Sequence, residues 1–160
     1  MKRILGYEAS DFTRESTSKE FKEAILKAEG RTILVDLAAE NAPLYPEVTN
    51  GEMAAAFGAD LLLLKDIDVQ KMVIPGLGEV NDLSELRKLT GTAVGVNLII
   101  KDTGPEYKRV TEASIKEVLR KGINFLSLTA YVTPEASPER IVADIKLVRR
   151  CLLYTSDAAD

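Results

Sequence analysis

The residues best suited to chemistry in this chain stand where short apolar runs end. Asp36 and Glu40 follow Thr32-Ile33-Leu34-Val35, and Lys65, Asp66 and Asp68 follow Leu61-Leu62-Leu63-Leu64. Asn97 and Lys101 follow Ala93-Val94-Gly95-Val96, and Thr129 and Tyr131 follow Phe125-Leu126-Ser127-Leu128. The sequence contains no histidine, so acid–base work would fall to Asp, Glu, Lys or Tyr. Asp36, directly after three aliphatic residues, is costly in an apolar setting unless it is paired or binds a ligand. It reads either as a reactive carboxylate or as a structural one held by loop amides or a neighbouring lysine.

Asp66 and Asp68, with Asp36 or Glu40 across the barrel mouth, offer the oxygen ligands that a hard cation such as Mg2+ takes. A solvated run of loop charges is the plainer reading, more so for Asp68 than for Asp66. Lys65 could clamp a carboxylate or phosphate, act as a Schiff-base amine if desolvated, or simply pair with Asp36 or Asp66. Asn97 either hydrogen-bonds a substrate or bonds within the structure, and Gly95 either admits a close approach or fits a crowded interior. The catalytic candidates are therefore Asp36, Lys65 and Asp66, with Asp36 and Asp66 also the metal candidates. Glu40, Asn97, Lys101 and Thr129 are the substrate-binding candidates.

Bringing these residues together requires a repeated unit, and the sequence has one. An amphipathic helix, a glycine and a short apolar strand recur at intervals of about thirty residues, the glycines being Gly30, Gly58, Gly91 and Gly122. A residue that ends a helix often needs φ > 0, where a Cβ is penalised. The strands are continuous apolar runs, as expected of parallel strands covered on both faces. The first helix, over 17–29, opens on a Thr17-Ser18-Lys19-Glu20 capping box and turns Phe21, Ala24, Ile25 and Ala28 to one side. A second box, Thr49-Asn50-Gly51-Glu52, starts the next helix. Asp82 caps a third that turns Leu83, Leu86 and Leu89 inward. A fourth follows Thr111 and buries Ile115, Val118 and Leu119, and a fifth starts at Ser137-Pro138 and carries Ile141, Ile145 and Val148.

Such alternation means βα units and a parallel sheet. Helix-to-strand connections are short, whereas the strand-to-helix connections 37–48, 65–81, 101–110 and 129–137 are long. Long loops in a compact domain are usually functional, and these four lie at the carboxyl ends of the strands, where parallel α/β folds bind ligands. The expected fold is the amino-terminal half of a (β/α)8 TIM-type barrel: four parallel βα units plus an N-terminal helix that could cover the barrel floor, truncated before the remaining units. A doubly wound open sheet is the rival. It usually announces a nucleotide by a glycine-rich turn after its first strand, but here that strand runs into Asp36-Leu37-Ala38-Ala39-Glu40. Pro75-Gly76-Leu77-Gly78-Glu79-Val80-Asn81 has G-x-G, but Asn81 stands where a third glycine belongs, so it reads as a loop turn.

The runs Thr49-Asn50-Gly51-Glu52-Met53-Ala54-Ala55-Ala56-Phe57-Gly58-Ala59-Asp60, Val73-Ile74-Pro75-Gly76-Leu77 and Val94-Gly95-Val96-Asn97-Leu98 carry a family resemblance. Over most of residues 8–150 the chain resembles an uncharacterised bacterial family of barrel proteins, whose automatic labels are phosphonomutase-like or haloacid-dehalogenase-like. The resemblance implies the (β/α)8 barrel and no particular set of catalytic residues. A dehalogenase site would need an aspartate nucleophile in a D-x-D-x-T setting after the first strand, and Asp36-Leu37-Ala38-Ala39 departs from that pattern.

Composition narrows the partners. The formal charge of −4 gives no basic footprint for nucleic acid. No run approaches the ~20 apolar residues of a membrane span, and Ile4-Leu5 after Met1-Lys2-Arg3 is too short for a signal peptide. A cytoplasmic protein with a small-molecule ligand is expected, whose full-length parent could be a homo-oligomer. The single cysteine, Cys151, opens a segment, Cys151-Leu152-Leu153-Tyr154-Thr155-Ser156-Asp157-Ala158-Ala159-Asp160, that reads as the in-frame translation of a transposase-type sequencing adapter (TGT CTC TTA TAC ACA TCT GAC GCT GCC GAC). The expected domains are a partial barrel over 1–150 and a non-native tail over 151–160.

The expected activity of the parent is that of a lyase or isomerase acting on a small anionic metabolite, with carboxylates and Mg2+ stabilising an enolate-like intermediate. The alternative is a non-catalytic ligand-binding or assembly barrel. The fragment itself is expected to be inactive and poorly soluble, because its outer strands leave unpaired edges.

Overall fold

The computed structural model describes residues 3–11, 18–131 and 135–156. Its centre is a four-stranded, wholly parallel sheet built from β1 (Leu34–Ala38), β2 (Leu61–Lys65), β5 (Ala93–Ile99) and β6 (Phe125–Thr129), side by side in that order. Sequence neighbours are therefore sheet neighbours. Register is continuous: Asp36 lies beside Leu63, Leu63 beside Gly95, and Gly95 beside Phe125. A small antiparallel hairpin, β3 (Val73–Ile74) and β4 (Gly78–Glu79), stands apart in the loop after β2.

The α-helices are α1 (Ser18–Leu26), α2 (Asn50–Ala56), α3 (Ser84–Thr90), α4 (Glu112–Arg120) and α5 (Pro138–Ser156). Side chains alternate across a strand, so each strand offers one set to each face of the sheet. Leu62, Leu64, Val94, Val96, Leu98, Leu126 and Leu128 meet Ala54, Leu86, Ile115, Val118, Ile141 and Val148 in one core. Thus α2, α3, α4 and α5 all cover the same face. On the other face, Ala24, Ala28, Phe21 and Ile25 of the α1 region pack on Leu61, Ala93 and Phe125, the first residue of each of three strands. The first helix thus covers the amino ends of the strands, as its apolar stripe requires.

Local signals act as read. Thr49 and Glu52 form the expected reciprocal capping box, and Thr111, from which the fourth helix was expected to start, forms a further one with Ser114. Gly91 ends α3 at φ 66°, and Gly30, Gly58 and Gly122 likewise hold positive φ. Each helix can therefore turn sharply into the next strand. Two strands begin with a side chain completing the backbone ladder: Asp60 Oδ2 accepts from Ile33 N at 2.7 Å, and Asn124 Oδ1 accepts from Val94 N at 2.9 Å. Arg87 and Lys121, both buried, donate to the carbonyls of Gly122 and Val80 and so tie α3 and its lead-in to the end of α4. Burial pushes the Arg87 guanidinium below its ordinary value.

Several expectations need correction. The first strand starts at Leu34 rather than Thr32 and runs through Asp36, and the third runs through Asn97. Both polar residues are inside strands, not beyond them. Leu89 is half exposed and Ile145 nearly so, because α3 is only two turns long and α5 turns Ile141 and Val148, both partly buried, to the core instead. Asp82 accepts from Ser84 N at 2.6 Å, but Leu83 is the capping residue. The Thr17 capping box lies outside the described residues, as do Asp157 and Asp160. Helix α5 crosses the expected boundary at residue 150, and Cys151 is buried in the main core. Among the described residues, no helix is long and apolar enough to cross a membrane.

Candidate functional site

The carboxyl ends of the four strands carry the polar residues singled out above, and strand alternation sorts them. Asp36, Lys65, Asn97 and Thr129 share the face opposite the four covering helices. Ser127, beside Asn97 in register, belongs to the same row. Below this row lie Leu63 and Gly95. A Cβ at Gly95 would fall into the ring of Phe125, so the glycine is what lets that ring lie across the sheet. Phe125 in turn stacks on Phe21 with ring centroids 6.2 Å apart and planes 15° apart. The site has an apolar floor and a polar rim.

Within the rim, Lys65 pairs with Asp36. The hydrogen bond to Asp36, then its charge, raises the Lys65 ammonium above the ordinary lysine value. This is the opposite of what a Schiff-base amine requires, so Lys65 is suited to holding negative charge and not to attacking a carbonyl. Asp36 is a partly exposed carboxylate, its side chain 43% accessible, because β1 is an edge strand. Two strands away, Thr129 Oγ1 donates to Asn97 Oδ1 at 2.6 Å. Asn97 itself is only 6% accessible.

Asp66, the third catalytic candidate, turns away from this row. It holds φ 56° and lies 4.0 Å from Lys108 Nζ, and Lys108 also pairs with Glu40. The Glu40 hydrogen bond raises the Lys108 ammonium against the opposing effect of burial. Lys108 sits on a 3-10 turn, Glu106–Lys108, in the loop after β5. One lysine thus joins the loops after β1, β2 and β5. Asp68 is structural: its Oδ1 accepts from Gln70 N at 2.9 Å and Lys71 N at 3.3 Å. Lys101 and Tyr131 are exposed at the margin. Among the described residues no three carboxylate or thiol groups gather closely enough to hold a metal ion. Asp36 and Asp66, offered as Mg2+ ligands, each face a lysine instead.

The Pro75-Gly76-Leu77-Gly78 stretch forms the turn of the β3–β4 hairpin, where Gly76 at φ 89° packs against Thr49 at the start of α2. It packs the loop after β2 against that helix. Two rim residues escaped the sequence reading. Lys108 gave no local signal, because its partner Glu40 is distant in the chain. Ser127 did give one: it is a lone hydroxyl inside an otherwise apolar strand.

No curated protein and no solved structure matches the chain. A family model described as a domain of unknown function (DUF7916) matches residues 5–155. That match spans nearly the whole sheet and its helices, and the chain belongs to this family.

Proposed function

We propose that the sheet is the amino-terminal half of a (β/α)8 TIM-type barrel, and that the full-length parent is an enzyme of lyase or isomerase type. Its substrate is a small anionic metabolite bound at the carboxyl ends of the strands. Sequential parallel neighbours with all four following helices on one face support the barrel; a doubly wound sheet would place helices along both faces. The observation that carries the activity is the row Asp36, Lys65, Asn97 and Thr129 on the face away from those helices.

In this reading the Lys65 ammonium stabilises charge developing on a substrate oxygen in an enolate-like intermediate. Asp36 orients Lys65 and takes a proton from the carbon next to the carbonyl. In this reading charge stabilisation falls to lysine, and the pairing of the candidate carboxylates with Lys65 and Lys108 supports it.

The test uses a full-length family member carrying the equivalent residues, incubated in D2O with a panel of small oxo- and hydroxy-carboxylates and phosphate esters. Deuterium is expected at the carbon beside the carbonyl of at least one compound, with exchange reduced at least about a hundredfold by Asp36→Asn. Binding without exchange, or exchange that Asp36→Asn and Lys65→Met leave unchanged, refutes the enzyme and favours the non-catalytic ligand-binding barrel.

A further inference from the structure

Asn97 is buried, yet half of its amide has nothing to bond to. Its Oδ1 accepts from Thr129 Oγ1 at 2.6 Å. The other end, Nδ2, carries two N–H donors and makes no hydrogen bond among the described residues, although Asn97 is more than nine-tenths buried. Nor is the nitrogen sealed inside the protein. The fully enclosed, unpartnered side-chain polar atoms among the described residues are Thr32 Oγ1 and Arg109 Nε. A buried amide with free donors that solvent can still reach from the rim face is placed to receive an acceptor from outside.

Its neighbours define the acceptor. Ser127 is paired with Asn97 in register, and its hydroxyl also lacks a partner among the described residues. On the other side, Leu64 pairs with Val96, so Lys65 is the next residue level with Asn97. Lys65, Asn97 and Ser127 therefore form a row of donors across three adjacent strands, each about 4.8 Å from the next. Leu63, Gly95 and the Phe125 ring make a flat apolar floor beneath it.

We infer that the row of Lys65, Asn97 and Ser127 is a carboxylate seat, binding the two oxygens of a small substrate's carboxylate group. This deepens the reading of the rim as a substrate site and rests on it. A planar carboxylate spreads its two acceptors across adjacent donors above a flat floor. A phosphate fits less well. It brings up to two negative charges next to Asp36, which already neutralises Lys65. Asp36 and the ligand compete for one ammonium, and this gives the proposal a distinctive consequence: removing the Asp36 charge tightens carboxylate binding even where it abolishes proton transfer.

The experiment titrates a 15N-labelled full-length family member carrying the equivalent residues with acetate, and separately with inorganic phosphate, following the side-chain NH2 signals of the residue equivalent to Asn97. Asn97→Asp supplies the assignment. Acetate is expected to shift the Asn97 pair saturably in the millimolar range, as befits so small a probe. Asp36→Asn is expected to tighten that binding about three- to tenfold, the scale of one partly screened charge at this distance. Ser127→Ala should weaken it with the protein still folded, and phosphate should bind more weakly than acetate. An Asn97 pair that ignores acetate, an Asp36→Asn variant that binds acetate no better, or phosphate binding tighter than acetate would each overturn the seat. Deuterium exchange by the full-length family member is read separately, so loss of the seat and loss of the enzyme reading are distinguishable.

Discussion

Replacing Gly95 by alanine tests the floor of the site, and its cost can be worked from the geometry. A methyl there would lie 2.6 Å from Phe125 Cζ and closer still to Cδ2 and Cε2. Those atoms are the body of a ring wedged between the sheet and Phe21, so the ring must swing away or the strands must part. Overpacking of this kind costs about 1–3 kcal/mol, and losing the aromatic stack adds about 0.5–1.5 kcal/mol. Alanine returns about 0.5–1 kcal/mol because glycine is a poor strand residue. The net expectation is a destabilisation of about 0.5–4 kcal/mol, centred on about 2, read as a lower urea midpoint at unchanged slope. The decisive control is Phe125→Leu, which removes the ring. In that background Gly95→Ala should cost nothing or stabilise. If Gly95→Ala is as stable as the parent, or if its cost persists without the ring, the ring does not occupy the space the glycine leaves and the described floor is wrong.

Two further outcomes follow from packing. Cys151 is 5% accessible, and burial raises its thiol above the ordinary value, so a disulfide reagent should label it slowly in the folded chain and at once in urea; fast labelling without denaturant would mean that α5 does not dock through residue 151. Asn124→Ala strips the acceptor from the Val94 amide inside the sheet and should cost about 1–3 kcal/mol in urea melts; Asn124→Asp, which restores an acceptor, should recover most of that loss, and equal destabilisation by both would deny the side chain its role in the ladder.

What the sequence made legible was local. Capping boxes join residues three apart, and glycine at a helix end needs only its own φ. Thus Thr49 with Glu52 and the four glycines could be read directly, whereas the Thr111–Ser114 box, with serine in place of the usual Glu or Gln, was not. Parallel order followed from helix–strand alternation. Strand ends were less legible, because a polar residue in an apolar run was read as the end of the run. Asp36 and Asn97 in fact continue their strands, with side chains facing the rim while their neighbours face the helices. Ser127 was placed inside its strand but passed over, because its alternation onto the rim face was not used. The β3–β4 hairpin pairs only two residues on each side, too few for a period to show. Lys108 with Glu40 joins two loops and Arg140 with Asp102 joins the start of α5 to a loop, meetings which no spacing along the chain encodes.

The charge arrangement at the rim also limits how a ligand can be held. Were the site built on bare electrostatic attraction, its inner lysines would stand free. Instead Lys65 is committed to Asp36 and Lys108 to Glu40 and Asp66, while Lys101, without an ion pair among the described residues, stands at the exposed margin. The unmet bonding capacity inside the row belongs to neutral groups, the Asn97 amide and the Ser127 hydroxyl. Neutral donors over an apolar floor discriminate by geometry more than by charge. A ligand that also engages Lys65 must share it with Asp36, which leaves a carboxylate freed of its partner beside the bound molecule. That exchange couples binding to the release of a base, so the resting pair Asp36–Lys65 would be the held state of the site and the ligand-bound arrangement its working one.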